Sequence, residues 1–195
     1  LVVSLIPNFN RALYESLTSA LPGVPYVTVL TDMADLPPHF WIEPGQAQHV
    51  VCGTPHALKQ ALAAGYRQDQ VSLTSGMILH PSFHAPAMVD RERELEALGL
   101  DPSQPTGLVL FGGQGSMQML RIAKLLTGHQ LILLCGRHER LAEALRRLRR
   151  AAPHATVGFT REVSRYMRLA DWFVGKPGPG SLSEAVQCGL PVIPF

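Results

Sequence analysis

Two glycine-rich segments are the residues of this sequence best suited to hold an anion: FGGQGS at 111–116 and GKPGPGS at 175–181. Each follows an apolar run and precedes a stretch with helical spacing. A glycine turn that opens a helix presents free backbone N–H groups, and these favour anionic ligands such as a diphosphate. Neither segment matches the G-x-G-x-x-G or P-loop pattern, so a tight turn between strand and helix stays an equal alternative for the first.

Glu184 and Phe159 each have two alternative roles, one structural and one in a ligand site. Glu184 stands three residues after Ser181, and Ser-x-x-Glu is the pattern of a capping box at a helix start. A carboxylate at the rim of a nucleotide site also accepts hydrogen bonds from ribose hydroxyls, but spacing alone favours the cap. Phe159, in GFT at 158–160, covers a nucleobase at a strand end or packs in the core, and the core is the commoner place.

Other polar residues give weaker signals. His80 and His84 are four residues apart, but Pro81 between them disfavours a helix, so we do not expect a metal pair. Asp32 ends a predicted strand and is either an acid or base facing a cleft or the cap of the following turn. Six arginines surround one amphipathic segment, where a solvated face is the ordinary explanation and contact with anionic lipid is the alternative: Arg137, Arg140, Arg146, Arg147, Arg149 and Arg150.

The composition is that of a folded protein. The 195 residues are 46% hydrophobic and 16% charged, enough for one or two domains. A formal net charge of only +2 argues against a nucleic-acid-binding protein. No apolar run approaches the 18 or so residues of a membrane span. The three cysteines form no C-x-x-C pair, so we expect free thiols in a reducing, cytoplasmic compartment.

Short β-branched runs alternate with helical patterns along the whole chain, which predicts α/β architecture with doubly wound parallel sheets. We expect one Rossmann-like domain in residues 1–84, a linker region in 85–105 that ends on the turn-rich DPSQP, and a second domain in 106–195. The sequence opens and closes on predicted strands, so we expect both domains to be incomplete. Because ligands of such sheets lie at the carboxyl ends of the strands, both glycine segments should face one phosphate-bearing ligand.

Six segments together resemble glycosyltransferase family 28, in its monogalactosyldiacylglycerol synthase-like branch: TDMADLPPHFWIEP, SGMILHPSF, LFGGQGSM, CGRH, VGFT and GKPGPGSLSEAVQCGLPVI. The resemblance implies a GT-B fold and transfer of a hexose from a UDP-sugar to a lipid or lipid-linked acceptor, inverting and without a metal or cofactor. It implies a cytoplasmic protein, peripheral on the inner face of a membrane. The residues implied to bind the donor are Gly113, Gly115, Ser116, Phe159, Thr160, Pro179, Gly180, Ser181, Glu184 and His80.

The chain also departs from the family pattern. His80 stands where the family usually has arginine, which changes a permanent charge into a titratable one. The family's glycine loop with its histidine near the acceptor is not in this sequence, so we expect the main catalytic base upstream and keep Asp32 as a secondary candidate. Two alternatives stay open: a UDP-sugar 2-epimerase on the same fold, and a non-catalytic subunit that binds the UDP-sugar.

Overall fold

The computed structural model describes residues 1–85, 89–176 and 178–195. The chain folds as two compact α/β units, Leu1–Ile78 and Leu79–Phe195. Each unit has its own sheet, and every strand pair in both sheets is parallel. The predicted α/β class with parallel sheets is thus confirmed.

The first unit has four strands in chain order: β1 (Val2–Ser4), β2 (Tyr26–Val29), β3 (His49–Cys52) and β4 (Val71–Leu73). Its helices are α1 (Asn10–Ala20) and α2 (Pro55–Ala63), with single 3₁₀ turns at Pro7–Phe9 and Gln68–Gln70. The Thr54 side chain accepts a hydrogen bond from the Ala57 N–H and so caps α2, with Pro55 in its first turn. Trp41, Ile42 and Val50 are among the residues of its core.

The second unit has five strands in the order β7-β6-β5-β8-β9. These are β5 (Thr106–Leu110), β6 (Gln130–Leu134), β7 (His154–Val157), β8 (Trp172–Gly175) and β9 (Val192–Pro194). The helices are α3 (Arg91–Ala97), α4 (Gln118–Leu125), α5 (Glu139–Arg146), α6 (Val163–Leu169) and α7 (Pro179–Gln187), with a 3₁₀ turn at Pro81–Phe83.

The centre of this second sheet is where the strand order reverses. Strand β5 lies between β6 and β8, so the chain first builds the sheet in one direction and then returns past its starting strand. Every residue of β5 and β6 is buried, because apolar side chains cover both faces. Ligands of open α/β sheets bind beside such a switch point, at the carboxyl ends of the strands.

The described part of the expected linker, 85 and 89–105, belongs to the second unit. Helix α3 starts at its N-cap Asp90, and both Leu95 and Leu100 are buried in the core of that unit. Arg165 of α6 forms an ion pair with Glu94 of α3. The division between the two compact units falls between Ile78 and Leu79, and the apolar side of α3 packs in the core of the second unit. No helix in the ranges that the structure describes is long and apolar enough to cross a bilayer.

Candidate functional site

A cavity of about 310 Å³ opens at the carboxyl ends of β5, β6 and β7, beside the first turns of α7. Six residues predicted from the sequence line it: Gly113, Phe159, Thr160, Gly180, Ser181 and Glu184. The structure therefore brings together residues that are up to 71 positions apart, from Gly113 to Glu184. Four other predicted residues lie outside the lining of this cavity: Gly115, Ser116, Pro179 and His80.

The glycines of the first turn differ in what surrounds them. A Cβ on Gly115 would overlap the carbonyl oxygen of Cys135, and one on Gly136, which follows β6, would overlap that of Gly113. Both glycines also have positive φ, of 64° and 57°. Nothing lies within 4 Å of a Cβ placed on Gly113, which borders the cavity. Gly115 thus allows two turns to pack backbone against backbone, whereas Gly113 is free to face a ligand.

The second turn leads into α7 without the predicted capping box. The N-cap is Gly178 and the first helical residue is Pro179, so Ser181 and Glu184 lie inside the helix. The capping-box interpretation of Ser181 and Glu184 is therefore wrong. Proline lacks an N–H and has a φ that suits the first helical position, so the helix begins at Pro179, two residues before Ser181.

The Glu184 carboxylate has no hydrogen-bond donor within the described part of the chain. Its side chain is partly buried at the cavity wall. Burial raises the pKa of Glu184 above the ordinary value for glutamate, because the charged form loses water. An acceptor that faces a cavity without a protein partner is available for a ligand hydroxyl.

Lys176 is a cation that the sequence analysis did not single out. Its Cε lies 3.7 Å from where a Cβ on Gly112 would be, and 3.5 Å from the same position on Gly178. The side chain therefore extends over both glycine turns, with its Nζ 3.9 Å from that position on Gly112. Its place inside GKPGPGS was the available signal, because a lysine in a shaped glycine loop can reach what the loop holds.

Phe159 and Thr160 follow β7 at the cavity rim. Phe159 is 51% exposed, so it does not take the core position that is common for aromatic residues, and its ring is accessible to a ligand. The Thr160 hydroxyl accepts a hydrogen bond from the Glu162 N–H at 3.0 Å, which turns the chain toward α6. The two residues stand where a base-sized group can reach the aromatic ring.

His80 has a local partner in the second unit. Its Nδ1 accepts a hydrogen bond from the Ser82 N–H at 3.2 Å and thereby caps the 3₁₀ turn at Pro81–Phe83. Arg168 of α6 holds the same turn through the carbonyl oxygens of Ser82, at 2.9 Å, and Ala85, at 2.6 Å. His80 is exposed and does not line the cavity. No group of three or more potential metal-ligating side chains is found among the described residues.

Asp32 lies in the loop after β2 of the first unit. Its Oδ2 accepts a hydrogen bond from Trp41 Nε1 at 2.7 Å. The organising residue of this loop is Asp35, which the sequence analysis did not identify. The buried Asp35 carboxylate accepts from the backbone N–H groups of Trp41, at 2.6 Å, and His39, at 2.8 Å. Asp32 is thus hydrogen-bonded to the indole of Trp41, whose backbone N–H is held by Asp35.

The sequence of the chain is similar to those of known proteins. No family model matches the chain. It is 30% identical over 183 residues to a probable monogalactosyldiacylglycerol synthase 2, chloroplastic, of Oryza sativa subsp. japonica, a match of 88% of this chain and 38% of the relative. It is also 30% identical over 181 residues to monogalactosyldiacylglycerol synthase 2, chloroplastic, of Arabidopsis thaliana, covering 86% of this chain and 37% of that one. The chain is a homologue of the monogalactosyldiacylglycerol synthases.

The resemblance to the monogalactosyldiacylglycerol synthases is thereby confirmed, over a chain that spans less than half the length of these relatives. Solved structures give the fold. Anabaena HepE in complex with UDP has a TM-score of 0.61 and 18% identity, over 94% of this chain and 57% of that one. S. aureus MnaA with UDP has a TM-score of 0.63 and 11% identity, over 98% and 57%. The predicted GT-B fold, with its two Rossmann-like parallel-sheet domains, is confirmed.

Proposed function

We propose that this chain is part of a UDP-sugar-dependent hexosyltransferase that transfers a hexose to a lipid or lipid-linked hydroxyl with inversion. The observation that carries the proposal is the cavity in which Gly113, Phe159 and Glu184 meet at the carboxyl ends of the strands. The homologous relatives are named for a diacylglycerol that carries one galactose. The second unit is then the donor side and the first unit the acceptor side of the enzyme.

Each part of the cavity suits one part of a UDP-sugar. Backbone N–H groups at the Gly113 turn and at the start of α7 favour the diphosphate, and the Lys176 side chain passes both turns with its ammonium beside Gly112. The Glu184 carboxylate accepts from the ribose hydroxyls. Phe159 and Thr160 contact the uracil. We leave His80 out of this set because it caps a turn and does not line the cavity.

The reaction we propose is a direct displacement at the anomeric carbon. A base removes the acceptor proton, the acceptor oxygen bonds to the sugar, and UDP leaves with the electron pair of the broken bond. The protein's part at the donor side is to stabilise the charge that develops on the departing diphosphate. Asp32 is the base candidate within this chain, although its Oδ2 already accepts a hydrogen bond from Trp41 Nε1.

A lipid acceptor implies peripheral contact with a membrane surface, and the arginines of α5 suit anionic headgroups.

The first experiment measures nucleotide binding to the 195-residue chain by calorimetry. UDP should bind more tightly than ADP or GDP, and the affinity should be the same in EDTA because the turns and Lys176 carry the diphosphate. Equal affinity for the three nucleotides would remove the uracil assignment of Phe159 and Thr160. Transfer itself is tested with the full-length protein, a panel of UDP-sugars and a membrane lipid extract; no transfer from any of the UDP-sugars would contradict the proposal.

A matched pair of lysine variants tests the charge at the two turns. Lys176→Ala should lower the affinities for UDP and for inorganic pyrophosphate by the same factor, about tenfold for the loss of one charge-assisted contact. Lys124→Ala removes an exposed lysine from α4 and should change neither affinity. An unchanged pyrophosphate affinity in Lys176→Ala would show that this lysine does not contact the diphosphate.

A further inference from the structure

A second cavity, of about 520 Å³, adjoins the glycine-lined one. The two share Gly136, Gly158 and Phe159 in their walls, so the Phe159 ring stands at their common border. The second cavity differs in chemistry, because Arg137 and Arg146 line it together with Glu139 and Glu143. The donor site proposed above uses the first cavity and assigns nothing to the second.

The backbone of Arg137 is held in place at this border. Its N–H donates to the Gly113 carbonyl oxygen at 2.9 Å, which joins it to the turn that faces the first cavity. The next residue, His138, caps α5 by accepting from the Leu141 N–H at 3.2 Å. The backbone of Arg137 is therefore held between the Gly113 turn and the first turn of α5.

The Arg137 side chain lies on Phe159. Its Cζ is 4.6 Å from the centroid of the ring, and the ring is 51% exposed. Within the described ranges, the Arg137 guanidinium forms no ion pair and no hydrogen bond. A planar cation without a polar partner thus covers an exposed aromatic ring at the mouth of a nucleotide-sized site.

We propose that Arg137 and Phe159 form a stacking platform for the nucleobase of the donor, and that Arg137 is a positioning residue for that base. This inference rests on the proposed UDP-sugar function. Guanidinium planes and aromatic rings are the two side-chain surfaces on which unpaired bases stack. The platform is joined through the Arg137 N–H to Gly113, so the base surface and the diphosphate turn are positioned by one hydrogen bond. A pyrimidine stacked there leaves its edge to the backbone of residues 158–160.

The alternative role for Arg137 is a cation that binds phosphate, and ligand choice separates the two. Calorimetry on the 195-residue chain compares UDP with inorganic pyrophosphate for Arg137→Ala, Arg137→Lys and the control Arg140→Ala, which alters an exposed arginine of α5. A platform predicts that both Arg137 variants lose UDP affinity by a factor between about 5 and 140, the range for one base-stacking side chain. Pyrophosphate affinity should stay within twofold, and Arg140→Ala should match wild type for both ligands.

Three results would overturn the platform. They are wild-type UDP affinity in Arg137→Ala, full rescue by Arg137→Lys, and an equal loss of UDP and pyrophosphate affinity, since the last two indicate a charge and not a stacking plane. Phe159→Ala provides an independent measurement: the Arg137→Ala/Phe159→Ala pair should lose less UDP affinity than the product of the single losses, because each variant already breaks the stack. Strict multiplicativity contradicts the proposal. Failure of the wild-type chain to bind UDP would overturn the proposed function and this inference together.

Discussion

At the scale of single residues, glycines that follow β5 and β6 have different tasks although they look alike in the sequence. Gly136 has φ near +57° and a Cβ there would overlap the Gly113 carbonyl oxygen. Gly113 has open space where its Cβ would be, and that space borders the cavity. The first glycine is required by the fold, and the second by whatever enters the cavity.

Alanine substitutions separate these two requirements. Gly136→Ala should lower the free energy of unfolding by at least about 2 kcal/mol, since it adds a strained φ and a backbone overlap. Gly113→Ala should leave the thermal unfolding curve unchanged but lower the affinity for UDP, because the added methyl group occupies space that the ligand needs. Calorimetric melting curves and UDP titrations of the two variants check this, and a destabilised Gly113→Ala would show that this glycine also serves the fold.

Glu184 gives a second prediction at this scale, with a pH dependence whose sign follows from its raised pKa. Folding disfavours the ionised carboxylate, so the contribution of this group to stability is present below its unfolded pKa and is lost as the pH rises through the folded value. Glu184→Gln removes that penalty. The variant should therefore melt at the same temperature as wild type at acidic pH and at a higher temperature at neutral pH, measured by calorimetry in a pH series.

The same substitution should have the opposite effect on ligand binding. If the carboxylate accepts hydrogen bonds from the ribose hydroxyls, Glu184→Gln should lower the affinity for UDP by about tenfold, which corresponds to the loss of one charge-assisted hydrogen bond. Pyrophosphate, which lacks the ribose, should bind as before. Wild-type UDP affinity in the variant would exclude the ribose role.

At the scale of the elements, Arg150 holds the end of α4 in place. Its Nε donates to the Ala123 carbonyl oxygen at 2.9 Å, and its Nη2 donates to those of Leu126, at 2.6 Å, and His129, at 2.8 Å. The last carbonyls of a helix lack intrahelical partners, so a cation there satisfies them and the helix dipole together. Burial lowers the pKa of this guanidinium from its ordinary value. Arg150 thus differs from the solvated arginines with which the sequence analysis grouped it.

Arg150→Ala should lower the free energy of unfolding by about 1.5–3 kcal/mol, because partly buried carbonyls at and after the end of α4 lose a charged donor. Arg149→Ala, one residue earlier and exposed, should change it by less than about 0.5 kcal/mol. Urea unfolding of the two variants makes the comparison. Equal stability of Arg150→Ala and Arg149→Ala would mean that water replaces the guanidinium without cost.

A sequence predicts an element correctly when the residues that determine it are adjacent in the chain. Thr54 as N-cap, Pro55 in the first turn and the helix that follows are determined by residues adjacent in the chain, so such a helix start can be predicted from sequence. The capping box at Ser181 failed although the motif was complete, since Pro179 starts the helix earlier. The contacts of Asp35, Arg150 and Arg168 could not be predicted, because several of their partners become neighbours only after the chain has folded.

The same reasoning applies to the candidate site. That the two glycine turns and the GFT segment face one cavity followed from the strand order that parallel α/β units adopt. Which glycines pack against backbone and which face the cavity depends on sub-ångström approach between turns, and a sequence carries no signal for that. The general behaviour of aromatic residues favours the core for Phe159, whereas the family resemblance implies contact with the nucleobase. The ring is 51% exposed, with the Arg137 guanidinium lying on it, and no sequence pattern shows that contact.

At the scale of the whole molecule, the chain has two units with separate hydrophobic cores. The core around Trp41 and Val50 belongs to the first unit, and those around Leu108 and Leu131 belong to the second. All residues that line the glycine-rich cavity are in the second unit. A nucleotide that binds there is therefore expected to stabilise one unit selectively.

Hydrogen exchange with and without UDP tests this selectivity. A ligand that binds the native state at a hundred times its Kd stabilises that state by about 2.7 kcal/mol, which slows exchange through global opening by about a hundredfold. We expect this slowing in the amides of β5, β6 and α7, and the largest local change in residues 111–117 and 158–160. Amides of β2 and β3 should exchange at the same rate with and without UDP, because no proposed nucleotide contact lies in the first unit. Protection confined to residues 1–78 would place the nucleotide outside the glycine-rich cavity and contradict the assignment of the second unit as the donor side.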